Sequence, residues 1–380
     1  QLCAGVIYMW AVFKDPVSAY LDRSPGDIAL VSSVMLSAFV FGILFGGILQ
    51  DRVGPQLIAV MGSAVMSSGI LLTSFVTSDV SSLIYLTYGV IGGLGVGMVY
   101  LCTITCVQKW FPDRRGFATG SMVGAFGFSL VIFAPLATYL LEETGVPSTF
   151  RILGIAFMAI CVTCSFILVN PPEGFTAPGR TPNARKQYTP SEMVRTREFY
   201  LITVSLFLVL PAFFILNPHL VSLATDRGFV EYATMGVMIT GVFSAAGRLL
   251  ITWMSDRTGR VLAMTSIAIM TAIGVLALTV ASGFLFLVCV AVISFAFGGA
   301  SGVYAAVTAD HFGTKNMGTN YGIVIMGFGA SALLFPYLTN IITVPGDMTN
   351  AFILAAVTCI LALVLVLMLR TSYKDMNINN

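Results

Sequence analysis

The chain has 380 residues, 57% of them hydrophobic and only 9% charged, with a formal net charge of +2. Soluble domains carry about one quarter charged residues, so this composition belongs to a membrane protein. With a net charge of +2, no acidic macromolecular partner is implied, and a nucleic-acid partner is not expected.

Crossing a hydrocarbon core takes about 20 mostly apolar residues per helix. Runs of that length follow one another almost end to end. Twelve spans are predicted, at about 2 to 20, 29 to 50, 56 to 77, 82 to 107, 117 to 141, 150 to 169, 199 to 220, 232 to 253, 261 to 281, 284 to 308, 318 to 342 and 350 to 369. They lack the short-period alternation of barrel strands. The chain does not begin with Met and opens inside the first span, so the expectation is a missing start rather than a cleaved signal peptide.

In span 1, Lys14 stands beside Asp15, which can neutralise it locally; a gating or substrate role is the alternative. All seven cysteines fall inside spans, against an extracellular disulfide framework. Cys161 and Cys164 form a CxxC pair in span 6, without a neighbouring His or acid, which gives no reason to expect a metal or redox site.

With both ends cytoplasmic, the connections separate by charge. The inner set holds Arg52, Lys109, Arg114, Arg115, Arg180, Arg185, Lys186, Arg195, Arg197, Arg257, Arg260, Lys315, Arg370 and Lys374, the outer set only Lys14, Arg23, Arg151 and Arg227. This is a firm positive-inside asymmetry. The polar stretch 170–198 reads as a cytoplasmic linker between an N-terminal six-helix bundle, 1–169, and a C-terminal six-helix bundle with a short cytoplasmic tail, 199–380.

The two halves repeat. "DRVG" at Asp51 to Gly54 recurs as "DRTG" at Asp256 to Gly259, each at the cytoplasmic end of a second helix. Gly116 and Gly120 match Gly318 and Gly322, 202 residues on, and the "FG" at Phe126 returns at Phe328. Tyr100 and Tyr304 correspond at an offset of 204. Two such halves are a transporter architecture, with substrate held between them near the midplane.

Span 8 carries Arg248, eight residues before Asp256 and so about 12 Å deeper at 1.5 Å per residue. An arginine at that depth is costly and usually faces a cavity or a partner. Gly241, Ser244, Arg248, Thr252 and Ser255 share one helical face, a polar stripe expected to line an aqueous cavity. No Asp or Glu falls in the middle of any span, which favours an anion arriving from water as the partner; packing against backbone carbonyls is the alternative. Guanidinium keeps its charge and can clamp a carboxylate bidentately.

In span 7, "ILNPHL" offers two further candidates. Asn217 stands beside a Pro that frees a carbonyl and is a candidate substrate contact. His219, titratable near neutral pH, is a candidate for proton coupling, with a water-satisfied interfacial histidine as the alternative. The glycine clusters at 92–97 and 297–302 follow no strand and read as close helix contacts rather than phosphate loops.

On these residues the chain resembles the major facilitator superfamily, through "GGILQDRVG" and "WMSDRTG". Within it, "GVIYMWAVFKDP", "WFPDRRGFATG", Arg248 and "NYG" at 320 to 322 resemble the oxalate:formate antiporter and monocarboxylate transporter branch. The resemblance implies the major facilitator fold, all-α with twelve transmembrane helices in two pseudo-symmetric bundles. It carries cavity aromatics to Tyr8, Tyr100, Phe126, Tyr304 and Phe328. It makes Asp51, Arg52, Gly54, Asp256, Arg257 and Gly259 a conformational latch, in which each carboxylate can accept from a neighbouring helix N-terminus and pair with cations. Oxalate-transporting relatives complete a dicarboxylate site with a lysine in the eleventh helix; the matching region here, near Ser331, has no charge, which favours a monocarboxylate.

The reading favoured is a secondary active transporter of a small monocarboxylate, working by alternating access with proton symport or anion exchange. A facilitator for neutral solutes or drugs and a nontransporting membrane sensor stay open. An enzyme is not expected, because two histidines near membrane edges and no buried acid pair make no acid–base constellation. No cofactor or metal is expected. The expected setting is a plasma or inner membrane, with the protein working as a monomer beside a small carboxylate and a proton or counter-anion.

Overall fold

The computed structural model describes residues 1–172, 175, 186–226, 230–343 and 348–378. Of the expected linker, residues 173, 174 and 176–185, with Arg180 and Arg185, lie outside the described residues, as does Arg227.

Apolar runs bounded by Pro, Gly and Ser become helices throughout, and among the described residues there is no strand. Among the described residues, ten helical segments are long and apolar enough to cross a membrane, including Pro25–Val53, Pro55–Thr73, Tyr85–Trp110, Arg260–Val280 and Phe284–Phe312. One of them, Arg115–Ser165, holds spans 5 and 6 on either side of Gly145, where φ 75° and ψ 174° break the helix. The first span is a 3-10 turn, Cys3–Met9, continued by the α-helix Trp10–Leu21. The twelve expected spans are thereby all present, as an all-α membrane fold. Span 7 runs as Arg197–Val209 and Pro211–Asp226, and span 11 as Met317–Val324 and Met326–Ile342.

The helices sort apolar side chains by face rather than from surface to core. In span 2, Phe41, Phe45 and Leu49 recur every fourth residue and are exposed, whereas Phe39, Ile43, Gly46 and Gly47 are buried. Exposed apolar stripes of this kind are what a hydrocarbon solvent permits, and small residues on the opposite face let helices close up.

The chain packs as two compact units. The first comprises Gln1–Pro112, Ala125–Arg185 and Thr314–Ile323, and the second Asp113–Gly124, Lys186–Gly313 and Val324–Asn380. In the first, Phe13, Tyr88 and Phe150 pack as an aromatic core, with the Tyr88 hydroxyl donating to the Val6 carbonyl at 3.0 Å. In the second, Ile215, Leu220, Val275, Phe286, Ile293 and Phe352 belong to one apolar cluster. Each unit takes in the first turns of a helix whose remainder packs in the other: residues 113–124 of span 5 and 314–323 leading into span 11.

Candidate functional site

Arg248 lies on Val230–Thr258, a helix of 29 residues, and is only 3% exposed. Its Nη1 donates to the Val123 carbonyl of span 5 at 3.4 Å. Two glycines make that burial possible. A Cβ on Gly120 would press on the Arg248 carbonyl, and one on Gly298 of span 10 would collide with the Ser244 carbonyl. Span 8 is therefore closely packed by backbone on two sides.

This corrects the expectation that the polar stripe lines open water. Ser244, Thr252 and Ser255 are buried in the seam between spans 5 and 10, together with Arg248. The physical reason is that short hydroxyls can bond helix carbonyls and pack dry: Ser255 Oγ donates to the Thr252 carbonyl at 2.6 Å. At Gly241 the space a Cβ would take is open.

The aromatic candidates fall into two groups. In the first unit, Phe126 meets Tyr8 at 5.4 Å and Tyr100 at 5.1 Å, and Phe39 joins Tyr100 at 5.3 Å. Tyr8 is 38% exposed, whereas Tyr100 and Phe126 are buried and Tyr100 is hydrogen-bonded to Tyr321. In the second unit, Phe328 meets Phe214 at 5.2 Å, and Phe297 stacks on Phe213 at 3.6 Å. Tyr304, the repeat mate of Tyr100, is buried and donates its hydroxyl to Ser205 Oγ at 3.1 Å. Asn217 is exposed and His219 half-buried on the Pro218-containing part of span 7.

The repeated "DR-x-G" segments place two carboxylates at helix starts. Asp51 accepts from the Gly318 and Thr319 N–H groups at 3.1 and 2.7 Å and from the Thr319 hydroxyl at 2.7 Å. Asp256 accepts from the Gly116 and Phe117 N–H groups at 2.8 and 2.7 Å. In both cases a carboxylate satisfies N–H groups that a helix start leaves without internal acceptors, at the positive end of its dipole. Gly54 and Gly259 have φ of 90° and 91°, a region that a side chain strains, and each is followed at once by a new helix.

The cation on Asp256 is Arg260, not the Arg257 of the motif. Arg260 Nη2 is 2.8 Å from Asp256 Oδ1, while Arg257 is exposed and lies over the Trp253 ring at 4.6 Å. Arg257 follows Asp256 directly and points about 100° around the helix, whereas Gly259 starts a new helix whose first side chain returns to Asp256. Arg52 is likewise exposed.

Two residues that the sequence did not single out complete this cluster. Asp310, in the last turn of span 10, receives Arg260 Nε on one oxygen and Arg115 Nη1 on the other, both at 2.7 Å. Arg115 also donates to the Ala309 carbonyl at 3.2 Å, and Arg260 Nη1 to Ser255 Oγ at 2.5 Å. The one sequence signal for Asp310 is that it is the only acid between Phe284 and Phe312, just past the predicted end of span 10 at 308. The result is a chain of alternating charges, Asp256, Arg260, Asp310 and Arg115, in which every carboxylate oxygen faces a cation or a backbone N–H.

A twelve-span helical fold with two carboxylates docked on helix starts defines a membrane protein of the transporter type. The sequence profile of the Major Facilitator Superfamily matches residues 2–324 and, overlapping, 260–379, and the chain belongs to that superfamily of transporters. Among characterised relatives it is 26% identical to the oxalate:formate antiporter of Oxalobacter formigenes, over 96% of this chain and 87% of that protein. It is also 26% identical to monocarboxylate transporter 13 of Rattus norvegicus, over 93% and 82%. The same identity relates it to the uncharacterized MFS-type transporter YhjX of Escherichia coli K12, over 88% and 83%. Among solved structures, the human organic anion transporter MFSD10 superposes with a TM-score of 0.72 at 14% identity, covering 96% of this chain and 97% of that one. The transporter FucP in the outward conformation gives 0.69 at 14% identity, with 97% of each chain covered.

Proposed function

We propose that the protein is a secondary active transporter that carries a small organic anion, a monocarboxylate, by alternating access. The observation that carries this reading is Arg248, a guanidinium buried among apolar helices in a chain whose named relatives handle oxalate, formate, monocarboxylates and, in the apicoplast carrier of Toxoplasma gondii, pyruvate. When the carboxylate arrives, the guanidinium can meet it in a charge-assisted, two-pronged contact. Pairing lowers the cost of holding the cation in a dry site, and closure around the bound anion is favoured by that difference.

In this reading Tyr8, Tyr100, Phe126, Tyr304 and Phe328 shape the anion's surroundings, Asn217 contacts it, and His219 carries the coupled proton in a symport cycle. Exchange against a second anion is the other mode of coupling. Asp51 and Asp256 with Gly54 and Gly259 act as latches, and Arg52 and Arg257 give the loops their positive charge. Both termini lie in the cytoplasm, the halves 1–169 and 199–380 rock about the 170–198 linker, and a single chain suffices.

Uptake of labelled monocarboxylates into proteoliposomes tests the reading. It fails if Arg248→Lys and Arg248→Ala transport at the unmodified rate. Stimulation by an inward proton gradient assigns symport, and stimulation only by internal counter-substrate assigns exchange.

A further inference from the structure

The segment that enters span 7 is built onto the end of span 10. Span 10 is the helix Phe284–Phe312, closed by Gly313 at φ 80°. A helix end leaves its last carbonyls without internal donors, and here the Phe312 carbonyl receives the Tyr188 N–H at 3.0 Å. The Tyr188 ring meets the Phe312 ring edge-on at 5.6 Å, and Lys186 Nζ lies over the Tyr188 ring at 4.6 Å. Gln187 packs so closely against Gly313 that a Cβ there would collide with its amide. On the far side Thr189 opens the short helix Pro190–Met193 with a capping box: Glu192 Oε2 accepts from the Thr189 N–H at 2.8 Å and from its hydroxyl at 2.9 Å. Met193 is fully buried beneath it. Neither end of this short stretch is loose.

The site of attachment gives the strap its meaning. Phe312 is two residues beyond Asp310, the carboxylate that joins Arg260 to Arg115. Two 2.7 Å contacts on one carboxylate tolerate little displacement of the helix end, since charge-assisted bonds weaken quickly with distance and angle. The last turn of a helix is also where fraying begins.

We propose that residues 186–193 form a clasp that holds the last turn of span 10 in place, so that Asp310 can bridge Arg260 and Arg115, and that the clasp thereby sets the lifetime of the charge network. Tyr188 is a positioning residue, its N–H and its ring acting on Asp310 through the carbonyl and the ring of Phe312. The consequence for the transport cycle rests on the alternating-access reading above; the clasp itself does not.

Hydrogen–deuterium exchange on the full-length protein in nanodiscs separates the two. In Tyr188→Ala, amides of residues 307–313 are expected to exchange about fivefold faster, and the Gly116 and Phe117 amides, held by Asp256 through the same network, are expected to follow. Tyr188→Phe, which keeps ring and backbone, is expected to match the unmodified protein. Gly313→Ala attacks the clasp from the opposite face by displacing Gln187 and straining φ, and should reproduce the pattern if Tyr188→Ala folds poorly. Faster exchange confined to 186–193, with 307–313 and 116–117 unchanged in either variant, overturns the clasp. With the clasp standing, uptake assays should show an altered maximal rate at unchanged KM; failure of uptake in every protein, with the exchange pattern intact, overturns the transport reading alone.

Discussion

The Asp51 and Asp256 sites start from one sequence motif and reach one backbone geometry, yet they are held by different chemistry. At Asp51 the acceptors of the carboxylate are met by two N–H groups and the Thr319 hydroxyl, all neutral donors. At Asp256 the two N–H groups are joined by Arg260, and the charge passes on through Asp310 to Arg115. The counterparts around Asp51 explain the gap: Pro55 stands where Arg260 is, Cys106 where Asp310 is and Met317 where Arg115 is. The repeat thus preserved the contact of carboxylate with helix dipole, and one half alone added an ionic network to it. A partly buried network of this kind adds little net stability when complete, because desolvation offsets attraction, but it is sensitive to the loss of any one member.

The largest break in the comparison lies deeper in the same pair of helices. Arg248 has Ile43 as its opposite number in depth, and Ile43 is fully buried. Arg248→Ala is expected to lower monocarboxylate uptake by about 100-fold, the loss of a contact worth about 3 kcal/mol. Ile43→Val should cost about 1 kcal/mol in thermal unfolding and leave uptake as it was. Uptake falling equally in both would mean that helix packing, and not the guanidinium, is what Arg248 supplies.

Next in size is the contrast between the carboxylates. Asp256→Asn leaves Arg260 and two helix N–H groups short of charge and should destabilise by about 3 kcal/mol. Asp51→Asn keeps a neutral acceptor opposite neutral donors and should cost about 1 kcal/mol. Melting in detergent compares them directly, and equal shifts would show that the ionic extension does not couple to Asp256. Smaller again is the coupling within the network. A double-mutant cycle of Arg115→Ala and Asp310→Asn should give an interaction of about 1 kcal/mol, against none for Arg115→Ala with Asp51→Asn.

The smallest effect belongs to the capping box. Hydrogen bonds from the Thr189 N–H and hydroxyl hold the Glu192 carboxyl below the usual range. A lowered folded-state pKa means that this group's stabilising contribution is complete above the unfolded value of about 4.3 and is lost as pH falls through the lower folded value. The protection of the amides of 189 and 191–193, measured against their intrinsic exchange rate at each pH, should therefore fall in acid, and Glu192→Gln should abolish that loss of protection.

Hydropathy alone determined the helices, since a span needs only enough consecutive apolar residues, a property of the local chain. Local chemistry also fixed the two glycine turns, because "D-R-x-G" asks for a positive φ wherever it occurs. It further placed Arg248 at depth by counting back from Asp256. Only the tertiary structure decided what faces what. The Ser244, Thr252 and Ser255 stripe has the same periodicity whether it faces water or a neighbouring helix, and the glycines of spans 5 and 10 turned it into a packed seam. Arg260 rather than Arg257 meets Asp256 because a backbone turn redirects it. Arg115 and Asp310 are 195 residues apart, and no local pattern links two charges that become partners only when separate helices bring their ends together.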